Sequence, residues 1–256
     1  MAGSGTNGEE SSPVSRQPLT VELEDGDRVT AQVYARESEP PSSSLVLAHG
    51  AGAGQFSPFI VLFARAFAHR GIRVITFDFP YMQHGKRAPD KAPKLESTYR
   101  AVLAQTTPTG APGKLFIGGK SLGGRIASHL AAAQDELAQR LSGLVCLGYP
   151  LHAPGQARLR DAHLPAIRAP VLIVQGERDA FGTPVEIRTA MKAMSAPVRL
   201  FVVEDGDHSL SVPKSSNRTQ EEIYRLVEEE ITDWMASVPP RGAPRSAANA
   251  LDRAPP

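Results

Sequence analysis

The sequence predicts an α/β fold with a mostly parallel central sheet, an N-terminal antiparallel hairpin and helices on both faces. Three observations carry this. Short apolar runs rich in β-branched residues alternate with helical patterns along most of the chain. From Ser44 onward these runs are almost continuously apolar, as strands are when a sheet is covered on both sides. Ahead of them, LTVELE and VTAQVYA flank Asp25-Gly26-Asp27, a hairpin turn signal.

The elements follow in order. After the hairpin, the strand SLVLAHG leads to a helix over SPFIVLFARAFAHRG, which runs from Ser57 as N-cap through Pro58 to a stop at Gly71. IRVITFDFP is the next strand and ESTYRAVLAQ the next helix. KLFIGG then precedes one helix over LGGRIASHLAAAQDELAQRL. GLVCLGYP, VLIVQGERD and VRLFVVEDG are the last three strands, with the helix PVEIRTAMKAM before the final one. TQEEIYRLVEEEITDWMASV closes the fold, its Ile223, Leu226, Val227, Ile231 and Trp234 recurring at helical spacing. Tyr81 to Leu95 and Leu151 to Ala169 lack periodicity. Both follow strand ends, where open α/β sheets bind ligands.

One domain over residues 19–237 is expected. Met1 to Pro18 and Val238 to Pro256 are too poor in large apolar residues to offset the entropy of ordering them, so both are expected to be disordered. The formal charge of +1 lacks the one-signed field of a nucleic-acid binder. Cys146, the single cysteine, forms no internal disulfide and no zinc site, and its apolar run predicts a buried strand residue. The N-terminus lacks the basic and apolar regions of a signal peptide. FIVLFARAFA contains Arg65 and is too short to span a bilayer. A soluble cytoplasmic protein that binds neither nucleic acid nor membrane is expected.

FIGGKSLGG, Phe116 to Gly124, admits two chemistries. Gly119-Lys120-Ser121 ends like a phosphate-binding loop, but that loop needs a glycine where Lys114 stands, and flexible backbone where KLFIG reads as strand. Gly119-Lys120-Ser121-Leu122-Gly123 is also G-x-S-x-G, a nucleophile elbow, which requires a strand, a sharp turn and a helix in that order. The chain has them. Glycines two before and two after the serine remove collisions with the neighbouring strand and the helix. The order serine, acid, histidine then follows, with Asp179 after VLIVQGER and His208 after VRLFVVEDGD. Glu177 is the alternative acid. Asp205 and Asp207 share a loop with His208 and lie too close to face it. His69 and His129 lie on helices, and His84, His152 and His163 fall in the irregular connections. HGAGAG, His49 to Gly54, sits where such a fold supplies an oxyanion-binding N–H. Ala51 and Leu122 are the candidate donors, with Gly52 the alternative to Ala51.

HGAGAG, GGKSLGGRIAS, GYPLHAPG, PVLIVQGERDAFG and GDHSL together resemble the α/β-hydrolase fold over almost all the ordered length. More narrowly they resemble its dienelactone-hydrolase-like branch, and within it the group around a testis-expressed mammalian protein and a histone-acetyltransferase-complex subunit. The resemblance implies a catalytic triad of Ser121, Asp179 and His208, the residues also reached from spacing. Dienelactone hydrolases proper carry a cysteine nucleophile where this chain has serine. The expected activity is that of a serine hydrolase, esterase-like, cleaving a small ester, lactone or similar acyl bond of a small-molecule substrate through an acyl-enzyme, with no metal or organic cofactor. The alternative is a catalytically silent hydrolase fold kept as a module for a protein partner. The lid of this fold usually grows from the connection after the Cys146 strand. Leu151 to Ala169 is short, so a minimal lid and an open site are expected. Lys120, Lys86, Arg87, His152 and Arg158 are expected to be solvated loop charges, with a positive rim favouring anionic substrates as the alternative. Lys120 itself is expected to salt-bridge nearby, with tuning of substrate charge as the alternative.

Overall fold

Residues 13–37, 41–110 and 113–240 are described by the computed structural model of the chain. The hairpin pairs β1 (Val14–Glu22) with β2 (Arg28–Arg36) over their whole lengths. The strands β3 (Ser43–Ala48), β4 (Ile72–Phe77), β5 (Lys114–Lys120), β6 (Gly143–Leu147), β7 (Val171–Gly176) and β8 (Val198–Val203) then run parallel to one another. β2 joins β4 antiparallel, giving one eight-stranded sheet in the order β1-β2-β4-β3-β5-β6-β7-β8. β4 and β5 flank β3, so the direction of winding reverses beside β3. Crevices at the carboxyl ends of strands open at such reversals.

Seven helices among the described residues complete the fold: α1 (Pro58–His69), α2 (Pro80–Gln83), α3 (Ala92–Thr106), α4 (Leu122–Ala132), α5 (Glu136–Arg140), α6 (Pro184–Met191) and α7 (Gln220–Ser237). The strand alternation decides which side each residue serves. Leu45 and Leu47 of β3 join Phe63 and Phe67 of α1 and Ile231 and Trp234 of α7 in one core. Val46 and Ala48 join Tyr99 and Val102 of α3 and Ile126 and Leu130 of α4 in the other. Cys146 is buried, as its apolar run implied.

Four boundaries depart from the sequence reading. β1 begins at Val14, so Val14 to Pro18 belong to the sheet and not to a disordered segment. Their side chains are half-buried or exposed, and the strand is held by backbone pairing to β2, which leaves no apolar pattern to read. β1 is an edge strand, which is where Pro18 can be accommodated. At the other end Val238 is buried in the α1–α7 core, and Lys114 Nζ donates to the carbonyls of Met235, Ala236 and Val238. Residues 1–12 and 241–256 of the two expected tails lie outside the described residues. The single helix expected over residues 122–141 is two. Asp135 accepts the Ala138 N–H at 2.9 Å and so caps α5, and Ala133 leaves the helix with ψ 140°. α2 and the first turn of α3 occupy part of the connection from Tyr81 to Leu95, each opened by a proline at its start.

The connection from Leu151 to Ala169 holds only a 3-10 turn at Leu164–Ala166. Leu151, Leu164 and Ile167 are buried in the α3–α4 core, so the segment lies down on the domain instead of arching over the strand ends. No helix among the described residues is long and apolar enough to cross a membrane.

Tyr99 ties α3 to the two strands nearest the reversal. Its buried hydroxyl lies 2.6 Å from the Val46 carbonyl and 2.9 Å from that of Gly118, and accepts the Gly118 N–H at 3.1 Å. Tyr99→Phe removes this shared hydroxyl and is expected to cost about 0.5–1.5 kcal/mol. Urea unfolding with an unchanged m-value is the check, and a loss below about 0.5 kcal/mol would contradict this role.

Candidate active site

β5 ends at Lys120, α4 begins at Leu122, and Ser121 alone makes the turn. Its backbone takes φ 49° and ψ −111°, a conformation costing a non-glycine residue about 1–3 kcal/mol. The close approach of strand and helix demands glycine on either side. A methyl on Gly119 would stand 2.5 Å from the Ala48 carbonyl oxygen, and one on Gly123 would stand 2.4 Å from the same atom.

Ser121 Oγ lies 2.8 Å from His208 Nε2, and His208 Nδ1 lies 2.8 Å from Asp179 Oδ2. A carboxylate only accepts, so Nδ1 carries the proton and Nε2 is left to accept the serine O–H. Asp179 is 0% exposed. Its charge is met by three donors: His208 Nδ1, Gln175 Nε2 at 2.8 Å and the Phe181 N–H at 2.8 Å. Gln175 is itself locked by the carbonyls of Tyr149 and Gly182 and by the Tyr149 N–H. The Phe181 ring stacks on the imidazole with centroids 4.1 Å apart, which leaves the ring little freedom to swing. Glu177 turns elsewhere and accepts the Asp205 N–H at 2.9 Å.

The loop after β3 is anchored at both ends. His49 is fully buried. Its Nδ1 donates to the Gly50 carbonyl and its Nε2 accepts the Phe79 N–H, and burial lowers its pKa, so it is a neutral structural residue. At the far end Asp78 accepts both the backbone N–H and the side-chain amide of Gln55. Between these anchors Ala51 reaches the rim of a cleft of about 400 Å³. Ser121 and His208 open into that cleft, and Ala53, Phe59, Ile60 and Tyr224 form much of its wall. Gly52 does not line it. The Leu122 N–H heads α4 and has no intrahelical acceptor.

A family model described as an alpha/beta hydrolase domain matches residues 41–236. The chain belongs to that family. Solved α/β hydrolases share its fold at low identity. A dienelactone hydrolase from Anabaena variabilis is 17% identical with a TM-score of 0.68, over 87% of this chain and 97% of its own. Est1E from Butyrivibrio proteoclasticus, with ferulic acid bound, is 15% identical with a TM-score of 0.70, over 86% and 98%. An α/β serine hydrolase without a lid from Xanthomonas campestris is 19% identical with a TM-score of 0.65, over 89% and 98%.

One charge expectation for this α/β hydrolase fails. Lys120 forms no ion pair among the described residues; it is 9% exposed, and its Nζ donates to the backbone carbonyl of His208 at 2.6 Å. Of the five residues weighed as a positive rim, only Lys120 lines the cleft, in line with the solvated-loop reading of the others. Lys86, Arg87, His152 and Arg158 do not line the cleft, and His152 Nε2 faces Glu186 at 3.3 Å. These side chains lie on connections that follow other strand ends. Gln175 and Phe181 were missed by the sequence reading. Gln175 had a signal, being the single polar residue in the apolar run VLIVQG. Phe181 had none, because its contact depends on the shape of the loop after Asp179.

Burial draws the Lys120 ammonium down to about 8 from its ordinary 10.5, with Asp179 and Asp207 partly opposing the shift. Between these values the unfolded chain holds a proton that the folded chain has released. This group therefore costs stability below about pH 8, and the cost is relieved as pH rises toward 10.5. Denaturant unfolding at pH 7.5 and pH 10 is expected to show wild type gaining on Lys120→Met over that interval. A constant difference between the two proteins would contradict the shift.

Proposed function

We propose that the protein is a serine hydrolase cleaving a small ester, lactone or similar acyl bond through an acyl-enzyme on Ser121. The observation that carries this is the continuous chain from Ser121 Oγ through His208 to the buried Asp179, each link 2.8 Å long, mounted on a strained elbow. In the first step Ser121 Oγ attacks the carbonyl carbon while His208 Nε2 takes its proton. Asp179 holds the tautomer and stabilises the imidazolium. The Ala51 and Leu122 N–H groups are the donors assigned to the oxygen on which charge develops, each worth about 3 kcal/mol of barrier. His208 then returns the proton to the leaving group, and the acyl-serine forms as that bond breaks. Water repeats the sequence, giving its proton to Nε2 and releasing the acid and Ser121.

The cleft supports a small acyl substrate. It is walled on one side by Ala53, Phe59 and Ile60 and is not roofed by the flat connection after β6. The quoted motifs also favour the narrower membership: the dienelactone-hydrolase-like branch, beside the testis-expressed protein and histone-acetyltransferase-complex subunit.

A fluorophosphonate probe tests this reading. Wild type is expected to be labelled and Ser121→Ala to be silent. His208→Gln is expected to slow labelling by at least about 10³-fold. Absence of labelling in folded wild type would falsify the catalytic role, and equal labelling of Ser121→Ala would show that another serine reacts.

A further inference from the structure

The hydrolase reading uses Ser121 and leaves its neighbour unexplained. Packing alone does not call for a lysine at position 120, because a methionine would fill the same space without burying an ammonium. The side chain leaves the end of β5, passes where a methyl on Gly50 would stand 3.4 Å from its Cγ, and ends at the histidine loop. Its Nζ donates to the His208 carbonyl oxygen at 2.6 Å and lies 5.9 Å from the centre of the Phe59 ring. One bond thus joins the strand that presents the nucleophile to the loop that presents the base.

Gly148 at the end of β6 makes this contact feasible. It takes φ 66°, and a methyl there would stand 2.7 Å from the His208 carbonyl oxygen and 3.2 Å from Lys120 Nζ. The same methyl would be 3.5 Å from His208 Nδ1, so ammonium, carbonyl and imidazole meet over a single glycine.

We infer that Lys120 is a positioning residue for the reaction proposed above: its ammonium grips the His208 carbonyl and so fixes where the imidazole meets Ser121 Oγ. The inference rests on that hydrolase reading. A charge-assisted bond of this kind is about twice as strong as a neutral one, which suits a loop that must hold its place while its ring gains and loses a proton. The charged groups facing Lys120 are Asp179 after β7 and Asp207 after β8. α1 presents only Phe59, β6 presents Gly148, the loop after β3 presents Gly50, and α7 brings Tyr224 to the same cleft. Because burial sets the ammonium to lose its charge at about pH 8, the grip weakens above that pH.

The test uses the full chain. Phosphonate labelling of Lys120→Met at pH 7 is expected to be at least about 10-fold slower than wild type, with recovery in Lys120→Arg, which keeps the charge. Wild type is expected to lose labelling rate as pH rises through about 8, and Lys120→Arg to show no such inflection. In wild type alone, nuclear magnetic resonance of the Lys120 Cε and the His208 carbonyl carbon should give one shared midpoint, a reading that survives if the variants fail to fold. A Lys120→Met protein labelling at the wild-type rate, or a His208 carbonyl indifferent to the Lys120 titration, overturns the inference. Wild type that never labels overturns the hydrolase reading and with it the reaction role, while the carbonyl titration still decides the contact.

Discussion

The structure turns on how closely α4 can approach the ends of β3 and β5. The Ala48 carbonyl oxygen fills the space that side chains on both Gly119 and Gly123 would occupy. With no side chains there, the helix docks directly on the strand ends, and a single residue must reverse the chain between them. That residue is Ser121, and the reversal forces it into a left-handed conformation. The strain has a structural consequence: it lifts Oγ out of the sheet, beyond the strand ends, where an imidazole on another loop can reach it. Packing of one helix against two strands thereby decides where the Ser121 hydroxyl stands.

The second half of the site is built separately and must be brought into register with the first. Asp179 follows β7 and His208 follows β8, and these strands pair along their full length. Arg178 N–H donates to the Gly206 carbonyl and Arg178 Nε to that of Asp205, so the two loops move as one body. Asp207 accepts the N–H groups of Ser209 and Ser211 and shapes the turn that carries His208. What remains is to lock this body to the elbow. The backbone link from Ser121 N–H to the Leu147 carbonyl ties the elbow to β6, and Lys120 ties it to His208.

The sheet was legible in the sequence because apolar runs record burial on both faces, and burial is what an apolar run measures. The same logic hides β1 before Leu19: an edge strand held by backbone pairing leaves no apolar trace. Asp135 was legible in principle as an N-cap, but it sits in a stretch whose helical propensity runs straight through it, and the cap prevailed. At the site, residue type and strand-end position brought Ser121, Asp179 and His208 together on paper. They could not show which acid faces the ring. Glu177 and Asp179 differ by two positions, and the turn closed by the Asp179 N–H and the Gly176 carbonyl sends them different ways. Lys120 was misread for a related reason. A lysine suggests a carboxylate partner, whereas its actual partner is a backbone carbonyl, which every residue carries and no sequence marks.

The charge pattern follows from the same constraint. A chain with a formal charge of +1 has little long-range field with which to draw in a substrate. What it has instead is a local pair of opposite charges: Asp179 with no exposure, met by fixed donors, and Lys120 with very little, bonded to the His208 carbonyl. In the proposed reaction, charges held this way would not have to reorganise as a proton moved between Ser121 and His208, and preorganisation of that kind lowers a barrier more than a field spread over the surface. An open cleft flanked by the apolar side chains of Ala53, Phe59 and Ile60 suits this arrangement. For the proposed reaction, these walls would hold an acyl group by burial, while the polar groups are confined to the few atoms around Ser121.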